Sequence, residues 1–211
     1  MKYFILSILC VLAVRVYIYQ DVARRQTWKT DLYLGADGTS FVWQAIQYRE
    51  HGLFSYGKPE SKLYGLYDLL INGSGYKIPL SWLIGNIQSE GDLEWKHYRK
   101  IVIAQIIVSA ITASVVYWVM LSLIGSHVSA SLAVILFAFA LPSASMPFMI
   151  FSETLFALWF LLGVVALIYA PRFRLLYFVS GLILGLAAYT RTVALYSVIP
   201  VGLIVWMQRD E

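Results

Sequence analysis

Cysteine, histidine and charge are all scarce in this chain. Cys10 is the single cysteine among 211 residues, so no internal disulfide can form and no multi-thiolate metal site exists. It lies in an apolar run and reads as a packed core thiol rather than a reactive one. The three histidines, His51, His97 and His127, show no ligand spacing, which argues against a zinc hydrolase. Charged residues make up 13% of the chain, whereas soluble domains carry about 25%. The net charge of +4 is modest, and no basic run is interleaved with polar structure, so nucleic acid is not the expected partner.

Apolar residues are what the chain has in excess. They make up 60% of it, with a mean hydropathy of +0.70. One soluble core cannot hide that surplus, and lipid must solvate part of it. The runs are Tyr3 to Tyr19, Ile101 to Ile124, Val128 to Leu141, Phe151 to Tyr169, Leu175 to Tyr189 and Val193 to Met207. The first is nearly full spanning length and no small-residue cleavage site follows it, which favours a span over a signal peptide. Arg15 interrupts it and, near a helix end, would snorkel to the interface. The expected fold is an all-α integral membrane protein, a polytopic bundle of about six transmembrane helices. Gly181 and Gly185 form a Gly-x-x-x-Gly pattern of the kind that lets helices approach closely.

Residues 20–100 differ in kind, holding most of the charges, many tyrosines and turn signals such as Asn72-Gly73-Ser74-Gly75. Asn72-Gly73-Ser74 fits a glycosylation sequon and equally a plain turn. Ser40 to His51 reads as an amphipathic helix, with Phe41, Ala45 and Tyr48 at helical spacing and Gly52 as its stop. Pro79 to Ile87 is apolar but too short to span, which suits an interfacial or re-entrant segment. The whole chain is one membrane domain with this large first loop. Short loops obey the positive-inside rule, and the best basic one is Ala170-Pro171-Arg172-Phe173-Arg174. Placing it in the cytoplasm puts the N-terminus, the Gly125-Ser126-His127 turn and the tail at Arg209 there as well. The large loop is then extracytoplasmic.

That topology gathers charges at one membrane face. Asp37 in the loop, Glu153 at a helix start and Arg191 at a helix end all fall there, and boundary charges point to function. Each also has a plain structural role open to it. Glu153 would complement a helix dipole with Ser152 as the cap, Arg191 would snorkel at a helix C-terminus, and Asp37 would cap the helix that follows it.

The stretch Asp37-Gly38-Thr39-Ser40-Phe41-Val42-Trp43-Gln44-Ala45, running on to Gly52, resembles the first outer loop of C-type (GT-C fold) glycosyltransferases. Its nearest likeness is to the polyprenyl-phosphate-sugar transferases, such as protein O-mannosyltransferases and lipid A aminoarabinose transferases. Arg15, Tyr76-Lys77-Ile78-Pro79-Leu80, Leu141-Pro142, Ser152-Glu153-Thr154 and the span from Gly181 to Arg191 resemble further family features in the same order. The likeness covers nearly the whole chain and implies the N-terminal half of such an enzyme. Position 38 is glycine where the family often has a second acid.

The resemblance implies transfer of a sugar from a polyprenyl-phosphate donor to an extracytoplasmic acceptor hydroxyl, with inversion. It implies a multi-pass protein of a bacterial inner membrane or an equivalent membrane, in contact with membrane lipid. Asp37 would be the base. Arg191 would offset the phosphate charge, with Arg15 and Lys77 as further candidates, and Glu153 would orient Arg191 or touch the acceptor. Tyr76, Trp28 and Trp43 would stack on a sugar, although membrane-belt aromatics look the same. No cofactor is called for, and the need for a divalent metal is left open. The rival expectation is a non-catalytic membrane subunit or remnant that binds lipid-linked sugar or a second membrane subunit. A small transporter would need an internal repeat with paired broken helices, and none is visible.

Overall fold

The computed structural model describes residues 1–25, 35–52, 75–150 and 152–207. Every regular element among these residues is helical. The helices are α1 (Lys2–Arg25), α2 (Gly35–His51), α3 (Lys77–Ile84), α4 (Trp95–Ile124), α5 (His127–Phe139), a short α6 (Leu141–Ser145), α7 (Glu153–Tyr169), α8 (Leu175–Thr190) and α9 (Val198–Met207). Trp28, the Asn72-Gly73-Ser74 turn and Arg209 lie outside the described residues.

Several boundaries differ from the sequence reading for identifiable reasons. α1 continues past Tyr19 to Arg25, because Asp21 and Arg25 pair at 2.8 Å one turn apart on its exposed face. Arg15 is therefore in the body of the helix, not near its end. α4 begins at Trp95, before the apolar run, because Glu94 builds a capping box with His97. The Glu94 N–H donates to His97 Nδ1 at 3.1 Å. α2 begins at Gly35, so Asp37 lies inside its first turn instead of capping it. Its C-terminal end is as expected: Gly52, at φ 83°, donates its N–H to Tyr48 O.

Two helices, α1 and α4, are long and apolar enough to cross a membrane, and α5 with the bent segment after it makes a third when counted as one span. Leu9, Ile107, Trp118, Leu132 and Phe178 each leave more than half of their surface uncovered. Apolar surface on this scale suggests a membrane protein. α7 and α8 have 17 and 16 residues, which rise about 26 and 24 Å, short of the roughly 30 Å of bilayer hydrocarbon.

α1, α4, α5, α7 and α8 run alternately up and down the bundle, and two buried clusters lie at different levels of it. One cluster joins Val22 of α1, Val42 and Ile46 of α2, Leu80 of α3, Tyr98 of α4 and Phe148. The other joins Val11 of α1, Ala113 and Tyr117 of α4, and Ala130, Val134 and Ala138 along α5. Tyr169 Oη donates to Ser122 Oγ at 3.0 Å, which places the end of α7 with the second cluster. α2 is fixed to the end of α3 by Arg49, whose guanidinium donates to the carbonyls of Gly85 and Ile87.

The antiparallel pair α7 and α8 packs most extensively of all. Its close approach is not made by the Gly-x-x-x-Gly pattern, since a Cβ added at Gly181 or Gly185 would meet nothing within 4 Å. The approach is at Gly163, where an added Cβ would lie 2.7 Å from Leu184 Cδ2. The Gly163 carbonyl there accepts Ser180 Oγ at 2.8 Å.

Candidate functional site

The antiparallel run of α7 and α8 brings the N-terminus of one to the C-terminus of the other. Glu153 occupies the first turn of α7, and Arg191 is the C-terminal cap of α8, with its N–H on Ala187 O. Each side chain complements its own helix dipole. They also pair with each other, Arg191 Nη1 on Glu153 Oε1. Arg191 is thus engaged with a carboxylate instead of simply snorkelling. Ser152 makes no side-chain cap bond, so the cap expected there is absent. The second carboxylate oxygen, Glu153 Oε2, is buried without a partner, as is the hydroxyl of Thr154.

The polar loop closes onto this end. The Gly75 N–H donates to Tyr189 O at 2.8 Å. A Cβ at position 75 would meet Thr190 Oγ1 at 2.8 Å, Thr190 N at 2.9 Å and Thr190 Cα at 3.0 Å, so only glycine fits. Next to it, Tyr76 is 5% exposed and accepts a hydrogen bond from Gln105 Nε2 at 2.6 Å. Burial pushes its phenol above the ordinary range, so it stays protonated. The Phe41 ring meets Tyr76 edge to face at 5.2 Å. Tyr76 therefore presents no open face to a sugar, contrary to the stacking expectation. Lys77, at the start of α3, is also buried.

Asp37 lies one helical turn before Phe41, in the first turn of α2. Its backbone is thus carried to the end of the bundle that holds Tyr76 and Arg191; its side chain is outside the description. Trp43, further along α2, is half-buried.

Arg15 is placed apart from this group and is fully buried. Nη1 donates to Ala138 O at 3.0 Å, and Nε and Nη2 reach Ser109 Oγ at 3.4 and 3.5 Å. It does not snorkel, because it is in mid-helix and faces α4 and α5 rather than lipid. No carboxylate pairs with it among the described residues.

Between Arg15 and the Glu153–Arg191 pair is a cavity of about 310 Å³, bounded by α4, α5, α6 and α7. Ser109 is on its wall on one side and Glu153 on the other. The sequence reading missed this wall. Its signal was present as Ser109 and Thr112, which with Gln105 form a buried polar stripe at helical spacing inside an apolar run. No cluster of three or more metal-ligating side chains occurs among the described residues.

No protein-family model, curated protein or solved structure matches the chain. The site must therefore be read on its own chemistry. At one end of an apolar bundle it offers a carboxylate–guanidinium pair, a helix start bearing an acid, and an apolar cavity that reaches that pair. Such a set can hold an amphiphile with its polar head at the bundle end and its chain inside.

Proposed function

We propose that the chain is a membrane glycosyltransferase, or the N-terminal part of one. It transfers a sugar from a polyprenyl-phosphate donor to an acceptor hydroxyl outside the cytoplasm. The observation that carries this reading is the clasp of Gly75 on Tyr189 and Thr190 beside the Glu153–Arg191 pair. It joins a residue of the polar loop to the end of a late helix, next to an apolar cavity.

In the reaction, the acceptor oxygen forms a bond to the anomeric carbon as that carbon's bond to the donor phosphate breaks. Asp37 takes the acceptor proton. Arg191 offsets the charge that builds on the leaving lipid phosphate. One displacement inverts the anomeric centre. The bundle crosses the bilayer about six times, with the short α7 and α8 spanning as a pair under local thinning. The end bearing the loop faces outward. Lys2, Arg172 and Arg174 at the opposite end favour this orientation, since Arg172 and Arg174 lie in a short loop and Lys2 beside the end of α1, where basic residues mark the cytoplasmic side.

The test is turnover of a polyprenyl-phosphate sugar by the full chain in proteoliposomes. Asp37→Asn is expected to lower it at least about a hundredfold, the scale of a lost general base. Unchanged turnover removes Asp37 from that role. A second reading, a subunit that binds lipid-linked sugar without catalysis, is favoured by Gly38 in place of a second acid and by the prior engagement of Arg191 with Glu153. An inactive wild-type chain that co-purifies with another polytopic protein would select it.

A further inference from the structure

The bend after α5 poses a problem of backbone hydrogen bonding. The axis turns by 68° between α5 and the segment Pro142–Phe148. In an unbroken α-helix the N–H of residue 142 would donate to the carbonyl of Ala138, but proline has no N–H to give. Ala138 is 0% exposed, so bulk water does not reach it. A buried carbonyl without a donor costs free energy on the scale of a lost hydrogen bond. In an apolar bundle the side chains of neighbouring elements must supply that donor.

Two side chains donate to carbonyls in the last turn of α5. Ser143 Oγ donates to the Phe137 carbonyl. Arg15 Nη1, reaching across from α1, donates to the Ala138 carbonyl at 3.0 Å. The planar fork of the guanidinium lets Arg15 serve a second helix at once, with Nε and Nη2 on Ser109 Oγ of α4. A buried cation needs compensation. The last carbonyls of α5 supply part of it, because they carry the negative end of that helix's dipole. Ser109, Phe137, Pro142 and Ser143 all border the cavity. Arg15 is 0% exposed and sits behind that wall.

We propose that Arg15 is a positioning residue: it supplies the donor that Pro142 lacks and so pins the bent α5–α6 wall of the cavity to α1 and α4. The inference goes beyond the transferase reading and does not rest on it. Arg15 then acts through the cavity wall and touches no donor phosphate.

The experiment is a double-mutant cycle on the full chain in detergent, read by denaturant unfolding. Arg15→Met should raise the unfolding equilibrium constant about five- to hundredfold, the scale for a stranded buried polar group. In the Pro142→Ala background the same change should cost at least about threefold less, because the alanine N–H can serve the Ala138 carbonyl. Pro147→Ala is the control. The N–H it restores is in register with the Ser143 carbonyl, not with Ala138, so its effect and that of Arg15→Met should add within about twofold. A second readout follows the cavity itself. Thr112 is 4% exposed on its α4 wall. With Cys10→Ala removing the native thiol, Thr112→Cys should react with N-phenylmaleimide at least about threefold faster once Arg15→Met frees the facing wall, and that gain should shrink in the Pro142→Ala background. Where Arg15→Met yields no folded protein, Arg15→Lys, which keeps the charge but loses the fork, carries the same cycle. Costs of the Arg15 change that agree within about twofold in the wild-type and Pro142→Ala backgrounds would overturn the proposal. So would coupling to Pro147 as strong as that to Pro142, or a Thr112→Cys rate that Arg15→Met leaves unchanged.

Discussion

Gly75→Ala is the sharpest probe of how the loop is held. The new methyl carbon would be 2.8 Å from Thr190 Oγ1, 2.9 Å from Thr190 N and 3.0 Å from Thr190 Cα. Two of these three neighbours are backbone of a packed helix and cannot turn aside. Inserting a methyl group into such a place costs about 1–3 kcal/mol. The displacement also breaks the bond from Gly75 N–H to Tyr189 O, a further net loss of about 0.5–1.5 kcal/mol. The expected loss of stability is therefore about 1.5–4.5 kcal/mol. Denaturant unfolding in detergent, followed by circular dichroism, measures it. Gly91→Ala is the control, because its Cβ would meet only Ser89 Oγ, at an ordinary 3.6 Å. Thr190→Ala in the Gly75→Ala background removes the hydroxyl clash and leaves the backbone ones, so it should restore only part of the loss. A Gly75→Ala protein within about 0.5 kcal/mol of wild type, the range of an ordinary surface change, would refute the reasoning.

Further outcomes follow from other contacts. Gly163→Ala should destabilise by about 1–3 kcal/mol, while Gly181→Ala and Gly185→Ala should be neutral or gain up to about 1 kcal/mol of helix propensity; the same unfolding assay ranks them. Ser109→Ala removes a hydrogen-bond partner from the buried Arg15 guanidinium and should cost about 1–3 kcal/mol, with Ser109→Thr largely rescuing it. Lys96 and its contacts hold the exposed Glu94 carboxyl below its usual range. A depressed acid contributes stability above its unfolded pKa and loses it as pH falls through the lower folded value. The protection factor for hydrogen exchange at the first turn of α4, with the intrinsic pH dependence of amide exchange divided out, should therefore fall as pH drops below about 4.3. Glu94→Gln should flatten that dependence.

The sequence disclosed the elements whose signal is local. Gly52 and Gly125 end α2 and α4 at positive φ, of 83° and 72°, as helix-stop glycines do. The apolar face of α2 was visible in Phe41 and Ala45. Polar first and last turns were not visible, because periodicity follows the buried stripe and misses Trp95 to Lys100 and Gln20 to Arg25. Arg15 looked like an interfacial residue only while α1 was thought to end at Tyr19. The pairing of Glu153 with Arg191 was foreshadowed by topology, since antiparallel helices must bring those ends together. The clasp at Gly75 and the cavity wall were beyond reach, because both depend on residues far apart in the chain approaching to van der Waals distance. Only the polar stripe of Gln105, Ser109 and Thr112 hinted at the wall.

The Gly75–Tyr189 clasp also sets an order of events during synthesis. Its two halves are more than a hundred residues apart, and at ribosomal rates of about 5–20 residues per second the second half emerges roughly 5–20 s after the first. Throughout that interval the early segment is exposed to proteases and chaperones, with its closing partner still unmade. The last helix translated into the hairpin thus acts as a latch, and nascent chains arrested before residue 189 should be cut near residue 75 far faster than finished ones.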